Sequence, residues 1–413
     1  MNTPASAQPE ALTAPDLRAV VVVLSVTQIT SWGVLYYAFA ALQSSITADT
    51  GWSSVSVAGA FSVGQFVSAG VGIWVGRHID AYGPRLVMTA GSLVAIPGVL
   101  AVAAAPNLVV FYVGWALVGV AMAGMLYPPA FAALTHWGGA RRVGALTTLT
   151  LVGGLASTVF APLASWLDDG LGWRGAYLTL LVGLVLITLP LHWWGLRRPW
   201  TRRVDASDKS AVAAAYADAR GVSHSRPFVL LTIAMALTSL AVFAVVVNLV
   251  PMLVEQGMSR NLAAVALGLG GVGQVAGRLG YAAFAARTNE RTRAVVVVLG
   301  VAVTTAALAV SPAIPALLIA LGMLVGLARG IYTLIQATAI TDRWGPSAYG
   351  TLNGLLMAPS LVGSASAPFV GAALAHLLGS YAHAFLVLAG LAALAALLLL
   401  WASPSREAVS ERR

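Results

Sequence analysis

The chain has 413 residues, of which 59% are hydrophobic and only 9% charged. Soluble proteins carry about 25% charged residues, so a water-soluble globular fold is excluded and a polytopic membrane protein is indicated. Cysteine is absent, which excludes disulfides and thiolate metal sites, and the net charge of +9 rests on arginines and a single lysine, Lys209.

The segment Met1–Asp16 is polar, rich in Ala and Pro, and lacks the basic start of a signal peptide, so the first apolar run is expected to be retained. A membrane span needs about 20 apolar residues, and twelve such runs follow one another. Spans 1 to 6 are expected near Leu17–Leu42, Val55–Val75, Leu86–Ala105, Leu108–Leu134, Gly144–Trp166 and Trp173–Leu196. Spans 7 to 12 are expected near Phe228–Val254, Leu262–Ala286, Ala294–Val310, Ile314–Ile340, Tyr349–Leu378 and Ala382–Trp401. Between them lies a polar, arginine-rich linker, Arg197–Arg226, with room for an amphipathic helix over Ala211–Arg220. The expected organisation is therefore a bundle over residues 1–196, a linker over 197–226 and a second bundle over 227–413.

Basic residues accumulate on the cytosolic side of membrane proteins. With both termini and the linker inside, only Arg174 and Arg260 fall outside, while Arg278 and Arg329 fall within spans. The topology is thus a multi-pass protein of the cytoplasmic membrane with both termini cytosolic. The same distribution explains the positive charge without a nucleic-acid partner.

Spans 2 and 3 are joined by Gly76-Arg77-His78-Ile79-Asp80-Ala81-Tyr82-Gly83-Pro84-Arg85. Gly76 allows a helix end to pack closely and Gly83 permits the reversal. Asp80 can pair with nearby arginines or face the positive end of a helix. This spacing resembles the signature between helices 2 and 3 of the major facilitator superfamily. Gly76, Asp80, Gly83 and Arg85 match it, and Ala81 stands where a basic residue is usual. The resemblance implies that these four residues form a conformational latch.

The halves also echo each other. Ser62-Val63-Gly64-Gln65 in span 2 is similar to Gly271-Val272-Gly273-Gln274 in span 8, and Thr135-His136-Trp137-Gly138 to Asp342-Arg343-Trp344-Gly345. Such a duplication is expected of the superfamily the chain resembles, and the resemblance implies an all-α major facilitator fold of two pseudo-symmetric six-helix bundles, with substrate held near mid-membrane.

None of the 14 acidic residues lies near the middle of a span; Glu255, at the outer end of span 7 after Pro251, comes closest. The cations behave differently. Arg278 lies nine residues before Arg287, roughly 13 Å along a helix, and Arg329 thirteen before Asp342, roughly 20 Å. Helical side chains lean toward the N-terminus, which points both away from the nearer, cytosolic surface. Each costs about 2.5–3.5 kcal/mol to insert. With no acid in mid-span, an anionic substrate is a natural counter-ion; backbone carbonyls, polar side chains and cavity water are the other way to satisfy them.

Gln274 precedes Arg278 by one turn and shares its face. Gln274-Val275-Ala276-Gly277-Arg278 resembles the D-x-x-x-R element of span 8 in the monocarboxylate transporter family, whose arginine holds the substrate carboxylate. Gln274 replaces the aspartate tied to proton coupling there. Gly33-Val34-Leu35-Tyr36-Tyr37-Ala38-Phe39 in span 1 and Thr50-Gly51-Trp52-Ser53 before span 2 resemble bacterial members of the monocarboxylate and oxalate:formate antiporter group. Span 1 has no lysine, unlike animal members.

The remaining polar candidates are Gln28, Tyr36 and Tyr37 in span 1, Tyr127 in span 4, Asn248 in span 7, Gln336 in span 10 and Asn353 in span 11. Each serves either as an interhelical hydrogen bond or as a ligand contact. Tyr127-Pro128-Pro129 predicts a kink, because proline removes a backbone bond. The glycines of Gly268–Gly280 permit close helix packing and lie within a span, without the strand that a nucleotide-binding loop needs. Gly172-Trp173-Arg174 resembles the element opening span 6 in many superfamily members, with Trp173 read as an interfacial anchor. The histidines lack metal-ligand spacing and no catalytic grouping is present, so no enzyme, metal or cofactor is expected.

The expectation is a secondary transporter for a small organic anion, foremost a monocarboxylate, driven by proton symport or anion exchange. An exporter of drug-like or toxic compounds is the alternative.

Overall fold

The computed structural model describes residues 12–200, 221–344 and 349–403. The helix expected over Ala211–Arg220 lies outside the described residues, as does the side chain of Asp80.

Among the described residues there is no strand, and eleven helical stretches are long and apolar enough to cross a membrane. The longest, Arg142–Gly195, has 54 residues, roughly 80 Å of helix against a core of about 30 Å. It is two spans, because Gly172 interrupts it with φ 66° and ψ 167°. That backbone is open to glycine and closed to nearly everything else. Spans 5 and 6 therefore meet at Gly172, and the twelve expected spans are all present.

The chain forms two compact units, one of Met1–Phe39 and Val63–Asp205, the other of Ala40–Ser62 and Ala206–Arg413. In the first, a Cβ at Gly64 of span 2 would sit 2.6 Å from the Trp115 carbonyl oxygen of span 4. One at Gly119 of span 4 would collide with the Gly64 carbonyl. In the second, Gly273 of span 8 abuts the Met323 carbonyl of span 10, and Gly326 abuts that of Gly270. The repeated Val-Gly-Gln therefore marks where span 2 crosses span 4 and where span 8 crosses span 10. Without water to drive burial, spans associate through such close backbone contact.

The second repeated element also has a shared job. In the first unit Trp137 donates from Nε1 to the Pro199 carbonyl at 2.9 Å, and His136 stacks on Trp200 at 3.9 Å. In the second, Arg343 donates from Nε to the Ala402 carbonyl at 3.2 Å, and Trp344 packs on Phe228. Each dipeptide ties the end of span 4 or 10 to chain leaving the last span of its half, through Trp137 and His136 in the first and Arg343 in the second, while Trp344 reaches the start of span 7. Arg293, at the start of span 9, forms an ion pair with Asp342 beside it.

Two details depart from expectation. Trp173 is 3% exposed, set edge-on to Phe111 and Tyr177 in a cluster with Trp115; the ring is core, not an interfacial anchor, because the Gly172 reversal turns it inward. A Cβ at Gly76 would meet no described heavy atom within 4 Å, so the close packing expected there is not found. Gly83 is required twice over, by its φ of 82° and by the Trp200 ring 2.9 Å from where a Cβ would lie.

Candidate functional site

Within the second unit, spans 8 and 10 run in backbone contact, and the candidate residues follow from that register. Gly330 abuts the Gln274 carbonyl, which sets Arg329 level with Gln274 and about 6 Å, one turn, from Arg278 along the pair. Both arginines are half-buried. Arg278 donates from Nη2 to the Thr333 hydroxyl of span 10 at 3.4 Å. Arg329 lies over the Phe243 ring of span 7, 5.5 Å from its centroid, a cation–π arrangement. Gln274 is 3% exposed, with its Oε1 buried and making no hydrogen bond among the described residues.

A polar ladder holds span 10 against span 7. The Tyr332 hydroxyl donates to the Met235 carbonyl at 2.8 Å and lies 2.9 Å from the Ser239 hydroxyl. Gln336 donates from Nε2 to the same Ser239 oxygen at 3.1 Å. Tyr332 and Gln336 are one turn apart, as are Arg329 and Thr333, so one face of span 10 carries the set. Reading Gln336 alone missed this ladder; the i, i+4 spacing was its signal.

Asn248 is fully buried, its Nδ2 donating to the Ala244 carbonyl at 2.9 Å and the Pro368 carbonyl at 3.5 Å. It joins span 7 to span 11, the role of an interhelical hydrogen bond. Asn353 is half-buried in span 11, with its Oδ1 making no hydrogen bond among the described residues.

The first unit gathers aromatics instead. Span 1 passes through a π-helical turn at Gly33–Tyr37, a form that recurs at functional sites. Gly33 is needed because any Cβ would enter the Phe160 ring. Trp32 lies 5.4 Å from Tyr36 and 5.0 Å from Tyr127, and Tyr127 stacks on Phe131 at 5.0 Å. Tyr36 is buried in this group, whereas Tyr127 is half-buried. Span 4 breaks at Leu126, where ψ is −164°. Pro129 cannot donate, which frees the Met125 carbonyl, and Gln28 fills the gap with Nε2 at 2.6 Å. The expected kink is thus a full break, repaired by a side chain from span 1.

Of the latch candidates, Arg85 donates from Nε to the Trp193 carbonyl at 2.8 Å and lies 4.1 Å from that ring's centroid. It is fastened to span 6. A buried trio also escaped sequence reading: Ser92 of span 3 lies 2.9 Å from Nδ1 of His192 and accepts from Thr188 at 3.0 Å.

The comparisons with known proteins agree on the fold. The sequence matches the Major Facilitator Superfamily over residues 24–316 and 297–413. Monocarboxylate transporter 13 of Rattus norvegicus is 28% identical over 366 residues, 86% of this chain and 80% of that protein. A bacterial homologue of the human lysosomal transporter Spinster superposes with a TM-score of 0.73 at 17% identity, over 96% of this chain and all of that one. The nucleoside transporter NupG gives 0.71 at 13% identity, over 93% and 99%.

Proposed function

The chain belongs to the major facilitator superfamily of transporters, and from that premise we propose that it carries a small organic anion, foremost a monocarboxylate. The observation behind this reading is the placement of Arg278 and Arg329 one turn apart on adjoining spans of one unit. A guanidinium offers a planar fork that fits a carboxylate with two parallel bonds. The similarity to a protein named monocarboxylate transporter supports the same substrate class. Gln274, where a titratable acid would serve proton coupling, favours anion exchange or a proton carried on the substrate.

The distribution of basic residues supports a reading with both termini and the linker in the cytosol and the protein in the cytoplasmic membrane. Gly76, Asp80, Gly83 and Arg85 then form a cytosolic latch for one access state. A second reading, export of a drug-like or toxic small molecule, draws on the ring cluster of Trp32, Tyr36 and Tyr127.

Arg278 decides between the two. Arg278→Ala removes charge-assisted hydrogen bonds worth about 1.5–3 kcal/mol, equivalent to roughly 10–150-fold weaker binding. Arg278→Lys keeps the charge and loses the fork, so it restores binding only in part. The measurement is anion affinity and uptake in proteoliposomes, beside monodispersity in detergent. A well-folded Arg278→Ala protein that binds and transports anions normally would overturn the anion reading in favour of the exporter.

A further inference from the structure

At one end of the first unit, where spans 3 and 6 approach each other, a recess of about 670 Å³ is lined by Tyr82, Arg85, Trp137, Arg197, Arg198 and Trp200 among others. No acidic side chain lines it among the described residues. Arg198 is paired with Asp16 at 3.0 Å. The other two arginines are fastened differently. Arg85 and Arg197 lie 4.1 Å and 5.8 Å from the centroid of the same indole, that of Trp193. Among the described residues Arg85 commits only Nε, to the Trp193 carbonyl, a bond that leaves the outer edge of its fork to a ligand. Two guanidinium groups gathered at one ring concentrate positive charge, which an anion beside them would offset.

Tyr82, which lines the recess, is 67% exposed and continues a row of rings with His78 and Trp74 on span 2. Tryptophan and tyrosine favour the headgroup level of a bilayer. A ligand that matches both parts has an anionic group for the arginines and hydrocarbon for the rings. Basic recesses between spans bind anionic headgroups on these terms.

We propose that this recess binds the phosphate of an anionic lipid headgroup, with Arg85 and Arg197 as its ligands. The site is separate from Arg278 and Arg329 and does not depend on the substrate. Only its assignment to the inner leaflet rests on the orientation proposed above.

The test is native mass spectrometry of the full-length protein in non-ionic detergent. Titrants are phosphatidylglycerol, phosphatidylcholine with the same chains, and inorganic phosphate. One phosphatidylglycerol is expected to bind at least tenfold more tightly than phosphatidylcholine. Arg85→Gln and Arg197→Gln are each expected to weaken it roughly tenfold, with phosphatidylcholine unaffected, and Arg197→Lys to retain most of the affinity. Among the described residues the Arg197 side chain is tied through its ring contact alone, so Arg197→Gln keeps the test decisive if Arg85→Gln misfolds. Equal binding of the two lipids, or unchanged phosphatidylglycerol binding in a folded Arg197→Gln protein, overturns the site. Inorganic phosphate binding as tightly as the lipid, with the same loss in the variants, overturns the lipid as its source.

Discussion

Gly326→Ala places a methyl group against the carbonyl of Gly270 in span 8. The obstacle is backbone, which cannot rotate aside as a side chain would, so the two spans must separate. Two effects compete. Alanine favours a helix over glycine by about 1 kcal/mol, while overpacking costs about 1–3 kcal/mol and more where nothing yields. A backbone collision lies at the upper end, leaving a net loss of about 1–2 kcal/mol. In a chain this long the shift is a fall of a few degrees in melting temperature. Gly119→Ala, which meets the Gly64 carbonyl in the first unit, should behave the same way. Gly280→Ala is the control, since a Cβ there meets no described heavy atom within 4 Å, and it should melt at or above the wild-type temperature. The assay is thermal unfolding in detergent, followed by tryptophan fluorescence. If Gly326→Ala and Gly119→Ala melt as high as the wild type, backbone contact does not hold these spans together.

Three other outcomes are expected. Because the chain lacks cysteine, Ser207→Cys should react with an impermeant thiol reagent only from the cytosol and Asp168→Cys only from outside; labelling of Ser207→Cys on intact cells would reverse the orientation. Asp80→Asn should slow transport more than it weakens equilibrium binding, and a large loss of affinity at an unchanged maximal rate would contradict the latch. Gln28→Leu should strand the buried Met125 carbonyl at about 1–3 kcal/mol, seen as a lower melting temperature, and a variant as stable as the wild type would show that this bond does not hold the break.

Much of the architecture was legible because the bilayer demands long apolar runs, and twelve of them are separated by turns and charge. The duplication was legible too, although the repeated Val-Gly-Gln disclosed its purpose only once Gly64 and Gly273 were seen against neighbouring carbonyls. The break in span 4 was announced by Pro128 and Pro129. Its repair was not, since Gln28 and Met125 are 97 residues apart and nothing local links them. A freed carbonyl four residues before a proline is nonetheless a standing demand for a donor, a rule that calls for one without saying which residue supplies it. Trp173 was misjudged because a tryptophan at a span end usually faces lipid; here the positive φ of Gly172 decides its direction. The π turn of span 1 leaves no pattern beyond Gly33.

The division of the chain into units has a consequence for cutting it. The backbone passes into the second unit at Ala40, returns at Val63 and crosses again after Asp205. A protease acting in the linker severs only the last of these passages. The fragment ending at Asp205 would carry off Ala40–Ser62, and with it the Ser45 hydroxyl that takes a bond from Arg260 at 3.3 Å and the Ser62 hydroxyl that takes one from the Phe369 N–H at 3.1 Å. The remaining fragment would lack a piece of its own fold. Made as separate polypeptides, the two halves are expected to complete this unit only when they are brought together.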